Sequence, residues 1–184
     1  MSNPILWKLA HGLCVTSYAC MFVASFIAFA GTDIGLKEGF NTSIYIHAAP
    51  WGAAAVAMIG TISSAALFAK LSELDDPNQN ETTEKRHLKR QTTAVIGVAF
   101  SLCLIIADII IASALANAST MVRHNSTTPL NADWYMVVVS AIITGARIIM
   151  DLCKLIEWSK EMHGVHSLLE DVERNDEIDE PYRD

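Results

Sequence analysis

Ionisable side chains are costly inside hydrocarbon, and those that persist there pair with one another or line routes for protons and ions. Four such residues, His11, Asp108, Arg147 and Asp151, interrupt otherwise apolar runs of this chain, and His47 stands at the mouth of another. Arg147 and Asp151 are spaced i, i+4, which sets a guanidinium and a carboxylate on one helix face within pairing reach. His11 falls near the same depth. Asp108, ~24 Å along a helix counted from Thr92, falls near the opposite boundary, with His47 as its expected neighbour. The chemistry open to two such groups is proton or ion transfer from one face of a bilayer to the other. The plainer expectation, and the one favoured by sequence, is interhelical polar contact that fixes packing, with Arg147 and Asp151 reaching towards headgroups. A relay needs polar groups at mid-depth, and there the runs offer mostly hydroxyls and small residues.

Other chemistry finds little footing. The chain contains no HExxH, no GxSxG and no glycine-rich phosphate loop. Glu161, His163 and His166 cluster near the C-terminus, but such a trio on a helix is read as a solvated face rather than a metal site. Cys14, Cys20, Cys103 and Cys153 all sit in or at the end of apolar runs, so no disulfide framework is expected. Cys153 is at most a site for S-acylation. No catalytic residue, metal, cofactor or nucleic-acid partner is expected.

The elements that must position these residues are membrane spans. Of the 184 residues, 52% are hydrophobic, and they gather in runs long enough to cross ~30 Å of hydrocarbon as helices of about 20 residues. Spans are expected at about 5–30, 48–69, 92–116 and 134–156, which makes an all-α, integral membrane four-helix bundle of residues 1–158 and a tail of residues 159–184. Ala28-Phe29-Ala30 before Gly31 has the form of a signal-peptidase site. The first run nevertheless exceeds the 7–15 apolar residues usual for a signal, so it reads as an uncleaved span. Pro50 is expected in the first turn of the second span, where its missing N–H costs nothing.

Charge orients the bundle. Lys70, Lys85, Arg86, Lys89 and Arg90 hold five of the thirteen Lys and Arg in the connector between the second and third spans, and basic connectors stay cytoplasmic. Lys8, Lys154 and Lys160 fall on the same side and only Lys37 and Arg123 on the other, so both termini are expected in the cytoplasm. Lys85, Arg86, Lys89 and Arg90 could also meet anionic headgroups. The sequons at Asn41, Asn117 and Asn125 then face the lumen or exterior, with Asn125 the best-placed glycosylation site, as in a glycoprotein of the secretory pathway or plasma membrane. Asn80, on the basic connector, stays unmodified.

Small residues mark the expected contacts between helices: Ala49, Ala53, Ala57, Gly60 and Ser64 on the second span, Ala141 and Gly145 on the fourth. Lipid supplies no hydrophobic drive for pairing helices, so close backbone approach must do it. Trp134 and Trp158, ~36 Å apart on a helix, are expected in the two interfacial belts. Beyond them Leu155, Trp158, Met162, Val165, Leu169 and Val172 follow 3-4 spacing, a short seam for a partner or for self-association. Ten of the twenty acidic residues fall from Glu157 onwards, which sets the seam against adsorption to anionic lipid. Irregular chain is expected from Asn175.

The layout resembles that of claudins, tetraspanins and MARVEL proteins in number and orientation of spans alone. The first outer loop lacks the Trp and paired Cys of a claudin, and the second lacks the cysteines of a tetraspanin. The function expected first is a non-enzymatic organiser or accessory subunit binding protein partners. The second is a small transporter or oligomeric channel using Asp108 and Arg147, and the third a membrane-embedded enzyme.

Overall fold

The computed structural model describes residues 4–34, 43–74, 83–121 and 124–178, and side chains at 5–30, 48–74, 85–120 and 127–160. All of the described chain is helical: α1 Pro4–Ile34, α2 Ser43–Leu74, α3 Thr83–Met121 and α4 His124–Ile178. Each helix contains a stretch long and apolar enough to cross a membrane, at Ile5–Ala30, Ala48–Leu74, Lys85–Thr120 and Thr127–Lys160. The chain is an integral, multi-pass membrane protein.

Neighbouring helices run antiparallel. Cys14 meets Ser64 and Phe29 meets Trp51 between α1 and α2, while His11 meets Asp151 and Ser25 meets Asp133 between α1 and α4. Arg90 reaches Leu74 and Trp158, and Arg147 reaches Ser101. Packing goes round the ring α1, α2, α3, α4, with α2 and α4 barely touching across the middle. This is an up-down-up-down four-helix bundle.

The buried residues explain the register. On α1, Trp7, His11, Cys14, Tyr18, Met21, Ser25 and Ala28 follow strict 4-3 spacing; on α3, His87, Ala94, Ser101, Asp108 and Leu115 recur every seventh position. That is the seam of a left-handed bundle. The seam is unusual in being polar, whereas large apolar side chains such as Ile96, Ile106, Ile110, Ile142 and Ile149 point outwards. In water such a surface would aggregate; against lipid it costs nothing.

Several boundaries differ from those expected. The basic connector is largely helix, because α2 runs to Leu74 and α3 starts at Thr83. Glu84 to Gln91 contains no Gly or Pro and consists mainly of good helix formers, so propensity extends the span into the aqueous layer. Pro50 and Pro129 are both internal to their helices, not at the first turn. Membrane helices tolerate this where neighbours cover the freed carbonyl. Asp133, expected in a loop, is buried in α4. The fourth helix continues past Asn175 to Ile178, through the stretch expected to be irregular.

Candidate functional site

Along α4 the residues turned towards the bundle axis are Asp133, Val137, Ser140, Thr144, Arg147, Asp151 and Trp158. Their 4-3 spacing sets them above one another on a single face, so one helix delivers two carboxylates, two hydroxyls and a guanidinium to the interior. The other helices supply partners level by level.

At the end of the bundle nearest Trp7, Asp151 accepts a hydrogen bond from Trp7 Nε1 at 2.9 Å, and its same oxygen lies 2.9 Å from His11 Nε2. His11 is sandwiched by aromatic rings, edge-on to Trp7 and stacked on Phe68. Below, Leu71, Ala94 and Trp158 close this end. Arg147 comes next: its Nε is 3.8 Å from Asp151 Oδ2, its Nη1 donates to Ser64 Oγ at 3.1 Å, and its Nη2 donates to Ser101 Oγ. The guanidinium is 2% exposed, and Asp151 1%. Both point into the bundle rather than out to headgroups, which corrects the expected snorkelling.

Ser64 Oγ lies 3.5 Å from Cys14 Sγ, and Cys14 Sγ the same distance from Thr144 Oγ1. Thr144 donates to the Tyr18 hydroxyl at 3.1 Å, and Tyr18 donates to Asp108 Oδ2 at 3.0 Å. The carboxylate expected near the outer boundary is thus joined to the Arg147 group through mid-span hydroxyls and a thiol. The side chain of His47, its expected neighbour, lies outside the described residues. Further along, Asp133 accepts from Ser25 at 2.8 Å. Asp108 Oδ1, Ser140 Oγ and Asp133 Oδ2 are buried and have no hydrogen-bond partner among the described residues.

Tyr18, Thr144, Ser101 and Asp133 are not singled out by the sequence, and Cys14 stands out in it only as one of the span cysteines. The signal was there in the 4-3 spacing of polar residues on α4, but a hydroxyl in an apolar run commonly bonds its own helix backbone, as Ser101 also does to Gly97. Only the fold tells the two uses apart.

Ala49, Ala53, Ala57 and Ser64 are buried in the interior. A Cβ added at Gly60 would stand 2.7 Å from the Tyr18 ring, whereas one at Gly145 would meet nothing within 4 Å. Gly145 is therefore not a close-approach site, and Ala141 beside it is only partly buried. Close approaches not anticipated occur at Gly97, against Leu67, and Gly52, against Ile111. Lys85 and Lys89 are exposed, but Arg90 caps α2 by donating to the Leu74 carbonyl at 2.9 Å and lies over the Trp158 ring. Trp158, 7% exposed, is bundle core rather than interfacial belt, and Leu155 packs beside it. The first two positions of the tail seam are thus used internally, while the side chains of Met162, Val165, Leu169 and Val172 lie outside the described residues. So do Asn41 and the side chain of Asn125; Asn117 is exposed within α3. The described cysteines are free, Cys14 buried and Cys20, Cys103 and Cys153 exposed.

Among the described residues no group of three or more His, Cys, Asp or Glu is arranged to hold a metal ion. No protein-family model, curated protein or solved structure matches the chain.

Proposed function

We propose that this protein is a small membrane transporter that moves protons through the interior of its own bundle, with Asp108 as the carrier group and Arg147 as the gate. The observation that carries this reading is the unbroken sequence of contacts Asp108, Tyr18, Thr144, Cys14, Ser64, Arg147, Asp151 and His11, with every step at 3.8 Å or less. An organiser could fill the same seam with leucine; the buried His11, His87, Asp108, Asp133, Arg147 and Asp151 are an expense that packing alone does not require. The mid-depth hydroxyls that count against a relay when read singly support one when joined, as Tyr18, Thr144, Cys14 and Ser64 are by successive contacts.

The residues divide the work by their chemistry. Hydroxyls and a thiol both donate and accept, so they can pass a proton along a line. A guanidinium does not give up its proton, and its fixed charge is a barrier to cations. The line is therefore gated, and transfer past Arg147 requires that side chain to release Ser64 or Ser101. On the far side, Asp151 and His11 receive the proton. Towards Asp133, water meeting Asp108 Oδ1 and Ser140 Oγ extends the path.

Liposomes loaded with a pH dye and held at a potassium diffusion potential test this. Wild-type protein should acidify the lumen slowly but faster than empty vesicles, Asp108→Asn should abolish the difference, and Arg147→Gln should raise the rate several-fold. Folded wild-type protein that conducts no faster than empty vesicles would overturn the proposal.

The organiser reading keeps one specific support: α4 continues as helix from Lys160, where the apolar stretch stops, to Ile178. A stoichiometric partner that co-purifies in mild detergent and is lost on truncation after Lys160 would favour it.

A further inference from the structure

Between α2 and α3, reaching in to Arg147, lies a cavity of about 330 Å³. Ser63, Ala66, Leu67, Ile96 and Phe100 form its walls, and Ser101 and Arg147 close its inner end. Ile96 and Phe100 are exposed to the lipid side, as is Ala66, so the cavity opens laterally into the bilayer. Its walls are apolar and its base holds the one buried Lys or Arg guanidinium or ammonium among the described residues. Both Nη atoms of Arg147 bond neutral hydroxyls, and among the described residues Nε has no hydrogen-bond partner and faces the Asp151 carboxylate at 3.8 Å. Positive charge is thus only partly answered within the protein.

We infer that this cavity binds a fatty acid, its carboxylate at Arg147 and Ser101 and its chain between α2 and α3. Three observations select that class. Charge complementarity favours an anion, because the guanidinium faces Asp151 only at 3.8 Å and makes no hydrogen bond to a carboxylate among the described residues, and a buried cation so loosely paired is costly. Size argues for one chain, since 330 Å³ sits at the small end of ligand sites. Depth argues against a phospholipid: Ser64 lies ~15 Å along α2 from Leu74, and Ser101 ~17 Å along α3 from Arg90, which meets Leu74, farther than a phosphate headgroup is drawn from the interface without cost. A fatty acid can reach that depth as the neutral acid and ionise beside the guanidinium. The inference does not depend on proton transport, because binding at Arg147 requires no movement along the Asp108 line.

The test is equilibrium binding of tritiated palmitate to the full chain in phosphatidylcholine nanodiscs, with hexadecanol as the uncharged competitor. Palmitate should bind saturably at one per chain, and hexadecanol should compete at least tenfold more weakly. Ala66→Trp, which fills the cavity from its lipid-facing wall without touching Arg147, should weaken palmitate at least tenfold while leaving helix content and elution unchanged; Thr93→Trp serves the same purpose from α3 should that variant misfold. Arg147→Gln should erase the preference for palmitate over hexadecanol. Equal competition by hexadecanol, or undiminished palmitate binding by the folded cavity-filling variants, would overturn the assignment. Loss of proton flux in Asp108→Asn with palmitate binding intact would separate the two proposals.

Discussion

At the scale of single residues, the interior is governed by how each polar group is answered. Asp151 serves Trp7, His11 and Arg147 together. Removing it leaves a guanidinium and two ring donors buried, a change that costs ~3–5 kcal/mol when a buried pair is broken, although single membrane hydrogen bonds average only about 0.6 kcal/mol. Asp151→Ala should therefore unfold at clearly lower temperature, and the double variant Asp151→Ala with Arg147→Met should recover much of the loss. Cys14 is a built-in reporter: it is buried, whereas Cys20, Cys103 and Cys153 are exposed. In a background with those three changed to Ala, reaction of Cys14 with a thiol dye on heating measures the transition. Failure of the double variant to recover would mean that the ion pair is not what holds this level. The glycines give a sharper contrast. Gly60→Ala meets three atoms of the Tyr18 ring at 2.7–2.8 Å, and Tyr18 is tied to both Asp108 and Thr144, so it cannot swing aside freely; overpacking of this sort costs ~1–3 kcal/mol. Gly145→Ala meets nothing within 4 Å and should be neutral or stabilising by up to ~1 kcal/mol through helix propensity. The same assay ranks them, and equal effects would show that the Tyr18 contact is soft.

At the scale of elements, one arginine joins three helices at the basic end. Arg90 on α3 caps the last carbonyl of α2 and covers Trp158 on α4. A helix C-terminus has unsatisfied carbonyls that a basic side chain can answer, and a cation over an indole adds ~0.5–1 kcal/mol or more. Arg90→Ala should leave global unfolding little changed but speed amide hydrogen exchange at Leu71 to Leu74 relative to the middle of α2. Uniform exchange across α2 would refute the capping role. The extension of α3 back to Thr83 and of α4 to Ile178 follows the same logic: where the chain holds no Gly or Pro stop and many good helix formers, a helix anchored by a membrane span continues into water. Gly164 alone does not stop α4.

At the scale of the molecule, the antiparallel ring of four helices places both described ends of the chain at one end of the bundle, together with the cations of α3. The charge count predicts that end to be cytoplasmic. A cysteine at Glu84, in a background lacking the exposed native cysteines, should react with an impermeant maleimide only after cells are permeabilised, and Asn125 should carry the glycan if any sequon does. Labelling of intact cells would invert every inside and outside assignment at once. That the chain holds four apolar stretches long enough to cross a membrane is legible in its amino acids alone, because length and hydropathy of an apolar run depend on nothing outside the run; how far each helix extends beyond its apolar run is not. The same local reading caught Arg147 and Asp151, which are neighbours on one helix. It could not join Asp108 to Tyr18, 90 positions away, or His11 to Asp151, 140 away, since which faces of four helices meet is decided by all four at once. A serine in an apolar run looks the same whether it bonds its own backbone or a guanidinium on another helix. Only packing made a line of polar groups out of residues that, taken singly, were unremarkable.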